Sequence, residues 1–195
     1  GSEMCIRDSE STLYPEECTI ENTKEVTALL EAYGVPVYLS GHLHLQRIKK
    51  HTSNLNTPGG YGIREIVTSP LPMAPCQYSI LNWQTDGSLS YHTKKVDIAG
   101  WAQRYGEEDE NLLNFDAYAD QFLVDVISKQ AFKALQSASK DIKEEMARLY
   151  ADMNRDYCSG TKIDVAKIRK SEAYQYWIRY SGNDSVSYTH LRAHE

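Results

Sequence analysis

Two histidines one residue apart, His42 and His44, are the side chains of this chain best suited to chemistry. In an extended segment residues i and i+2 project to the same side, with Cα atoms roughly 6–7 Å apart. Two imidazoles placed in that way can each reach a different member of a pair of metal ions spaced about 3.5–4 Å apart. Neutral imidazole suits Zn, Fe or Mn-type ions. Gly41, immediately before the pair, lets the chain turn sharply. Spacing alone also has a plainer explanation, two polar histidines on a surface loop, because H-x-H arises often by chance.

Other polar and aromatic residues have simpler readings. His51 follows Lys49 and Lys50 and is expected on a solvated loop, and His92 on a strand as a surface or packing residue. Gln77 and Tyr78 could line a cleft, but strand packing explains them equally well. The acidic run Glu107–Glu110 is a solvated loop. Tyr174, Tyr176, Trp177 and Tyr180 could form a partner surface, with packing among helices as the default. Cysteines stand at 5, 18, 76 and 158, none close enough in sequence for a zinc knuckle or a redox pair. Unpaired thiols of this kind suit a reducing compartment, and cytoplasmic placement is expected.

The elements that must position the histidines follow from periodicity. Asn22–Tyr33 reads as a helix: Asn22 and Glu25 have capping-box spacing, and Val26, Leu29, Leu30 and Tyr33 form one apolar stripe. Gly34 stops it, and Val35–Leu39 suits a strand buried on both faces. Loops at the carboxyl ends of such strands are where open α/β sheets place ligands. Beyond Pro58–Gly60, the segments Ile63–Thr68, Gln77–Trp83 and Leu89–Val96 read as strands, the last two joined by an Asp86-Gly87 turn. From about Trp101 the pattern turns helical. Phe115, Tyr118, Ala119, Phe122, Leu123 and Val126 make one stripe, Ile142, Met146, Leu149 and Met153 a second, and Asp164 to about Tyr180 a weaker third stretch.

Bulk composition narrows the function classes. A net charge of -6 argues against a general nucleic-acid backbone binder, though metal ions could still attract a phosphate substrate. With 41% hydrophobic and 25% charged residues the chain is ordinary for a globular protein. No apolar run approaches the roughly 20 residues of a membrane span. Residues 1–9 and 186–195 resemble translated sequencing-adapter read-through of the kind met in metagenomic assemblies. They are set aside, with His190 and His194. Residues 10–100 and 101–185 then form the two parts of the body.

The run Val35–Gln46 (VPVYLSGHLHLQ) resembles the last motif, G-H-x-H, of the calcineurin-like metallophosphoesterase superfamily. The resemblance extends loosely through Val96, and Gln46 with the Arg64–Thr68 strand looks like a bacterial branch. It implies an α/β fold class, in which residues 10–100 are part of a two-sheet α/β/β/α sandwich and a C-terminal helical appendage follows. It also implies two divalent metal ions, His42 ligating one and His44 the other, and a small phosphate-ester substrate attacked in line by a metal-bound hydroxide. The family's upstream ligand motifs, D-x-H, G-D-x-x-D and G-N-H, do not occur in the chain. The expectation is therefore a truncated dinuclear phosphoesterase, with weak metal binding and no turnover of its own. The alternative is a non-catalytic helical interaction module in which the histidines are incidental. A single-metal structural site would have to add Cys76 and His92.

Overall fold

A computed structural model of the chain describes residues 22–41, 44–53 and 62–180. It divides into two compact units between Ser69 and Pro70. The change in sequence pattern near residue 100 is thus a change of secondary structure within the second unit.

The first unit holds α1 (Thr23–Ala32), β1 (Val37–Ser40), β2 (Arg47–Lys50) and β3 (Arg64–Val67). The strands form one sheet in the order β1-β3-β2, with β1 parallel and β2 antiparallel to β3. The central strand is the most buried: Glu65, Ile66 and Val67 are all inside, as is Ile63 just before it. β1 is an edge strand with Leu39 48% exposed, so the expectation of burial on both faces is corrected. A short apolar run reports that a segment can be buried, not whether a neighbour lies on both of its sides.

α1 begins and ends near the expected residues, but its faces differ from expectation. Asn22 adopts a left-handed conformation (φ 55°) and its side chain makes no cap hydrogen bond, so the capping box does not form. Gly34 (φ 75°) turns the chain out of the helix, its N–H donating to Glu31 O. The buried residues are Thr27 and Glu31, while Leu29 and Tyr33 of the apolar stripe are exposed. Glu31 is drawn in by polar partners: its Oε1 accepts from Gly62 N at 2.9 Å and from Ser53 Oγ at 2.8 Å. Those hydrogen bonds tie Ser53 and Gly62 to the helix. A Cβ at Gly62 would meet the His51 carbonyl at 2.0 Å, and its φ is +64°, so glycine alone fits this crossing.

The second unit opens with the hairpin β4 (Gln77–Trp83) and β5 (Leu89–Lys95), paired Gln77 to Lys95 through Trp83 to Leu89. Its turn is the Asp86-Gly87 pair, with Gly87 at φ 82° and Asp86 Oδ1 accepting from Ser88 N. Six helices follow: α2 (Ile98–Tyr105), α3 (Glu110–Leu113), α4 (Phe115–Ala134), α5 (Lys140–Ser159), α6 (Val165–Arg169) and α7 (Glu172–Tyr180). Asp97 caps α2 by accepting from Gly100 N, and Asp164 caps α6 by accepting from Lys167 N.

The core of this unit is Leu135, Met146, Met153, Tyr174 and Trp177, with Ile142, Leu149 and Tyr180 against it. The methionine stripe of α5 is therefore a core face, as its spacing predicts. The stripe of α4 is a core face only in part, through Leu123. Phe122 is 57% exposed and Tyr118 is also exposed, and the buried residues of α4 are Leu123, Val124 and Ala131. The strands thus form a three-stranded sheet in one unit and a two-stranded hairpin in the other. The mixed α/β class holds; the two-sheet α/β/β/α sandwich is not established.

Candidate functional site

The loop leaving β1 carries the histidine pair. His42 lies outside the described residues. His44 is exposed and left-handed, at φ 57°. Among the described residues no three or more His, Cys, Asp or Glu side chains come together as a group able to hold a metal ion. His92 is exposed on β5 and Cys76 is buried, and they do not form such a group. The described residues on their own do not fit a dinuclear centre.

A different histidine is built into the structure. His51 is 7% exposed and its Nε2 lies 2.8 Å from Oε2 of Glu65, which is fully buried. Ser40 Oγ donates to the other carboxylate oxygen of Glu65 at 2.7 Å. The register explains the meeting: Glu65 lies within β3, Ser40 ends β1 two residue pairs beyond it, on the same face, and His51 follows β2. The backbone is pinned as well, His51 N donating to Ile63 O at 2.9 Å. The solvated-loop reading of His51 is thereby corrected. The signal that could have found it is a glutamate inside the apolar Ile63–Thr68 run, since a buried carboxylate requires partners.

His51 also lines a polar hollow of about 250 Å³, together with Lys24 and Thr27 of α1, Lys49 and Lys50 of β2, and Thr52. The hollow is lined by three ammonium groups and no carboxylate. Chemically it is suited to an anionic group, with Glu65 holding the imidazole in one orientation.

The remaining candidates are structural. Gln77 Nε2 donates to Cys158 O at 3.0 Å, tying the start of β4 to the end of α5. Tyr174 and Trp177 are core residues, so the Tyr-rich end packs as the default reading held. Cys76 and Cys158 are buried thiols outside any disulfide. Burial pushes the Cys158 thiol up to about 11. The Cys76 thiol is also raised, first by burial and then by Asp116 and Asp120.

Both thiols should therefore resist iodoacetamide at pH 8 in the folded chain and react in urea, as read by peptide mapping. The linkage has a definite sign. Unfolded thiols ionise near about 8.5. Below that pH the neutral Cys158 contributes its full stabilisation, and the contribution is lost as pH rises toward about 11. Cys158→Ala should accordingly flatten the alkaline fall in stability; an unchanged slope would show that burial of this thiol is not its cause.

No curated protein matches the chain. One family model does, over residues 97–192, just under half of the chain. The match begins at the cap of α2 and covers all six helices of the second unit. It also runs into the terminal segment 186–195 set aside on sequence grounds. The model is of a phosphodiesterase-related family, which keeps the general phosphoesterase expectation and removes the specific one. The family to which this part of the chain is similar is the C-terminal domain of cyclic nucleotide phosphodiesterase, and not a calcineurin-like metallophosphoesterase domain.

Proposed function

We propose that the chain is part of a hydrolase of phosphate diesters, with His42 and His44 contributing ligands to divalent metal ions. The observation that carries the reading is the match of residues 97–192 to a domain of a cyclic nucleotide phosphodiesterase. The position of the histidine pair supports it, since the pair follows the carboxyl end of a strand, where α/β sheets place ligands. Divalent ions, when bound, stabilise charge on phosphoryl oxygens and lower the pKa of a bound water. Because the described residues do not complete a ligand set, the role assigned to His44 is ligation alone. The lysine-lined hollow beside His51 offers a second cationic feature on the same unit, able to hold a phosphate oxygen. Cytoplasmic placement suits Cys76 and Cys158, which are thiols and not disulfides. No helix among the described residues is long and apolar enough to cross a membrane.

The ligand assignment is tested by equilibrium dialysis against Mn²⁺ and Zn²⁺ with metal analysis. The chain should retain metal weakly, and H42A and H44A should each lower the retained metal several-fold. Equal metal content in wild type and both variants would remove the histidines from the site. The diester reading is tested separately, with bis(p-nitrophenyl) phosphate and the complete open reading frame. No hydrolysis with any divalent ion would overturn it.

A second reading, a non-catalytic helical interaction module, is favoured by exposed aromatic side chains on α2 and α4. Trp101 and Tyr105 form a tilted ring pair with centroids 5.4 Å apart, Tyr118 and Phe122 another with centroids 6.0 Å apart, and all four are exposed.

A further inference from the structure

The loop between α4 and α5 is five residues long, so the two helices form a hairpin, and an open groove of about 450 Å³ runs between them. That volume lies within the range of small-molecule sites. Its α4 side carries Ser128, Lys129, Phe132 and Lys133, two adjacent pairs one turn apart, with Ser128 over Phe132 and Lys129 over Lys133 at i,i+4. Its α5 side carries Lys140, Glu144, Ala147 and Arg148.

Three observations converge on this groove. First, Ser128 Oγ is buried and has no hydrogen-bond partner among the described residues. Buried hydroxyls are nearly always paired, so an orphan lining a groove points to a missing acceptor or donor. Second, the charges are unevenly satisfied. Arg148 is paired with Asp152, Lys140 with Glu144, and Asp125 accepts from Gln121. Among the described residues Lys129 and Lys133 have no counterion, and they stand one turn apart, where like charges repel. The lining as a whole has four cations against two carboxylates, Asp125 and Glu144, in a chain of net charge -6. Third, the floor is apolar, with Phe132 and Ala147 between the cationic residues.

We propose that the α4–α5 groove is a binding site for a phosphate monoester with an aromatic body. A phosphate monoester is close to a dianion at neutral pH and offers three acceptor oxygens. Lys129, Lys133 and the Ser128 hydroxyl are three donors for those oxygens, and the four cations of the lining outnumber its two carboxylates by two. A carboxylate supplies one charge and two oxygens, leaving a donor and a cation unanswered. The aromatic body lies on Phe132 and Ala147 and on the aliphatic stems of the lysines. Phe132 also carries the Lys143 ammonium 5.4 Å from its ring centroid. Hydrolysis of an aryl or nucleoside diester yields a monoester of this class, but the site is inferred from the groove alone and stands whether or not the chain takes part in that reaction.

The test is a ¹H–¹⁵N titration of the full chain with 1-naphthyl phosphate, in EDTA so that no metal site contributes. Amide shifts at Ser128, Lys129, Phe132 and Lys133 should saturate with a dissociation constant below about 1 mM. 1-Naphthol and inorganic phosphate should each bind at least about tenfold more weakly, because each lacks half of the recognised groups. The double variant K129Q/K133Q, at two exposed positions that leave the helix intact, should weaken naphthyl phosphate by about tenfold or more. S128A should weaken it less. Inorganic phosphate binding as tightly as the ester would mean an adventitious ion only. Naphthol binding as tightly would mean a merely apolar cleft. Either result, or unchanged affinity in K129Q/K133Q, overturns the proposal. Failure of the diester assay, with these shifts intact, would overturn only the diesterase reading.

Discussion

Glu65→Ala should cost the first unit about 3–5 kcal/mol, the range for removing one partner of a buried, hydrogen-bonded acid–base pair. Glu65 is fully buried and serves two partners at once, His51 at 2.8 Å and Ser40 at 2.7 Å. Removing the carboxylate leaves a buried imidazole and a buried hydroxyl without it, and also opens a cavity beside Val67 in the middle of the central strand. His51 follows β2 and precedes Ser53, which with Gly62 is tied to Glu31 of the helix. Loss of Glu65 should therefore loosen β2 and those ties together. Glu65→Gln keeps an acceptor for Ser40 and the side-chain volume, and should cost less, about 1–3 kcal/mol, the range for a hydrogen bond lost from a buried group.

The choice of probe matters for this test. All three tryptophans of the chain, Trp83, Trp101 and Trp177, lie in the second unit, so intrinsic fluorescence does not report on the first. Amide hydrogen exchange at Ile66 and Val67 does, because both lie in the central strand. Their protection should fall by several hundred-fold or more in Glu65→Ala, while amides of α5 keep theirs. Equal protection in wild type and variant would mean that Glu65 is not part of what holds the sheet.

The same residues show which parts of the molecule were legible in the sequence. The β4–β5 hairpin was, because a run of strand-forming residues, an Asp-Gly turn and a second run specify register with little help from the rest of the chain. The core face of α5 was legible for a related reason: Met146 and Met153 recur at helical spacing and have no competing polar role. Tertiary choices were not. In α1 the stripe of Val26, Leu29, Leu30 and Tyr33 marks a possible apolar face, but the face that packs carries Thr27 and Glu31, because Glu31 has donors waiting across the chain in Ser53 and Gly62. In α4 the two faces are both partly apolar, and Leu123, Val124 and Ala131 are buried while Tyr118 and Phe122 stay exposed.

The candidate site divides in the same way. His42 and His44 are visible as a pair because they are adjacent in sequence. His51, Glu65 and Ser40 are separated by 14 and 25 residues along the chain and meet only through strand register. β2 was not evident in the sequence, since Arg-Ile-Lys-Lys lacks an apolar run, and without β2 nothing brings His51 to Glu65. Family identity was hardest to read from the short motif. G-H-L-H is four residues, whereas the match that changes the identification spreads over residues 97–192.

Trp177→Ala should be the most damaging single change in the second unit, with a loss of about 3–5 kcal/mol as for other large aromatic truncations in cores. Trp177 is completely buried among Leu135, Met146, Met153 and Tyr174, and its ring lies 6.0 Å from that of Tyr150. Its Nε1–H donates to Met146 O at 3.0 Å, so the indole is fixed in orientation as well as in depth. The nine residues of α7 are too few to be stable as an isolated helix, and Trp177 with Tyr174 supplies its buried contacts. Truncation should therefore release α7 from α5 and expose the methionine face. Because the variant loses a fluorophore, unfolding is best followed by circular dichroism at 222 nm. The midpoint in urea should fall, and about a helix-length of signal should be lost even without denaturant. Trp177→Phe keeps most of the apolar area and forgoes the hydrogen bond, so it should cost about 1–2 kcal/mol and leave α7 docked. If Trp177→Ala instead unfolds at the wild-type midpoint, α7 is not part of the cooperative core, and the helical unit is held together by α4 and α5 alone.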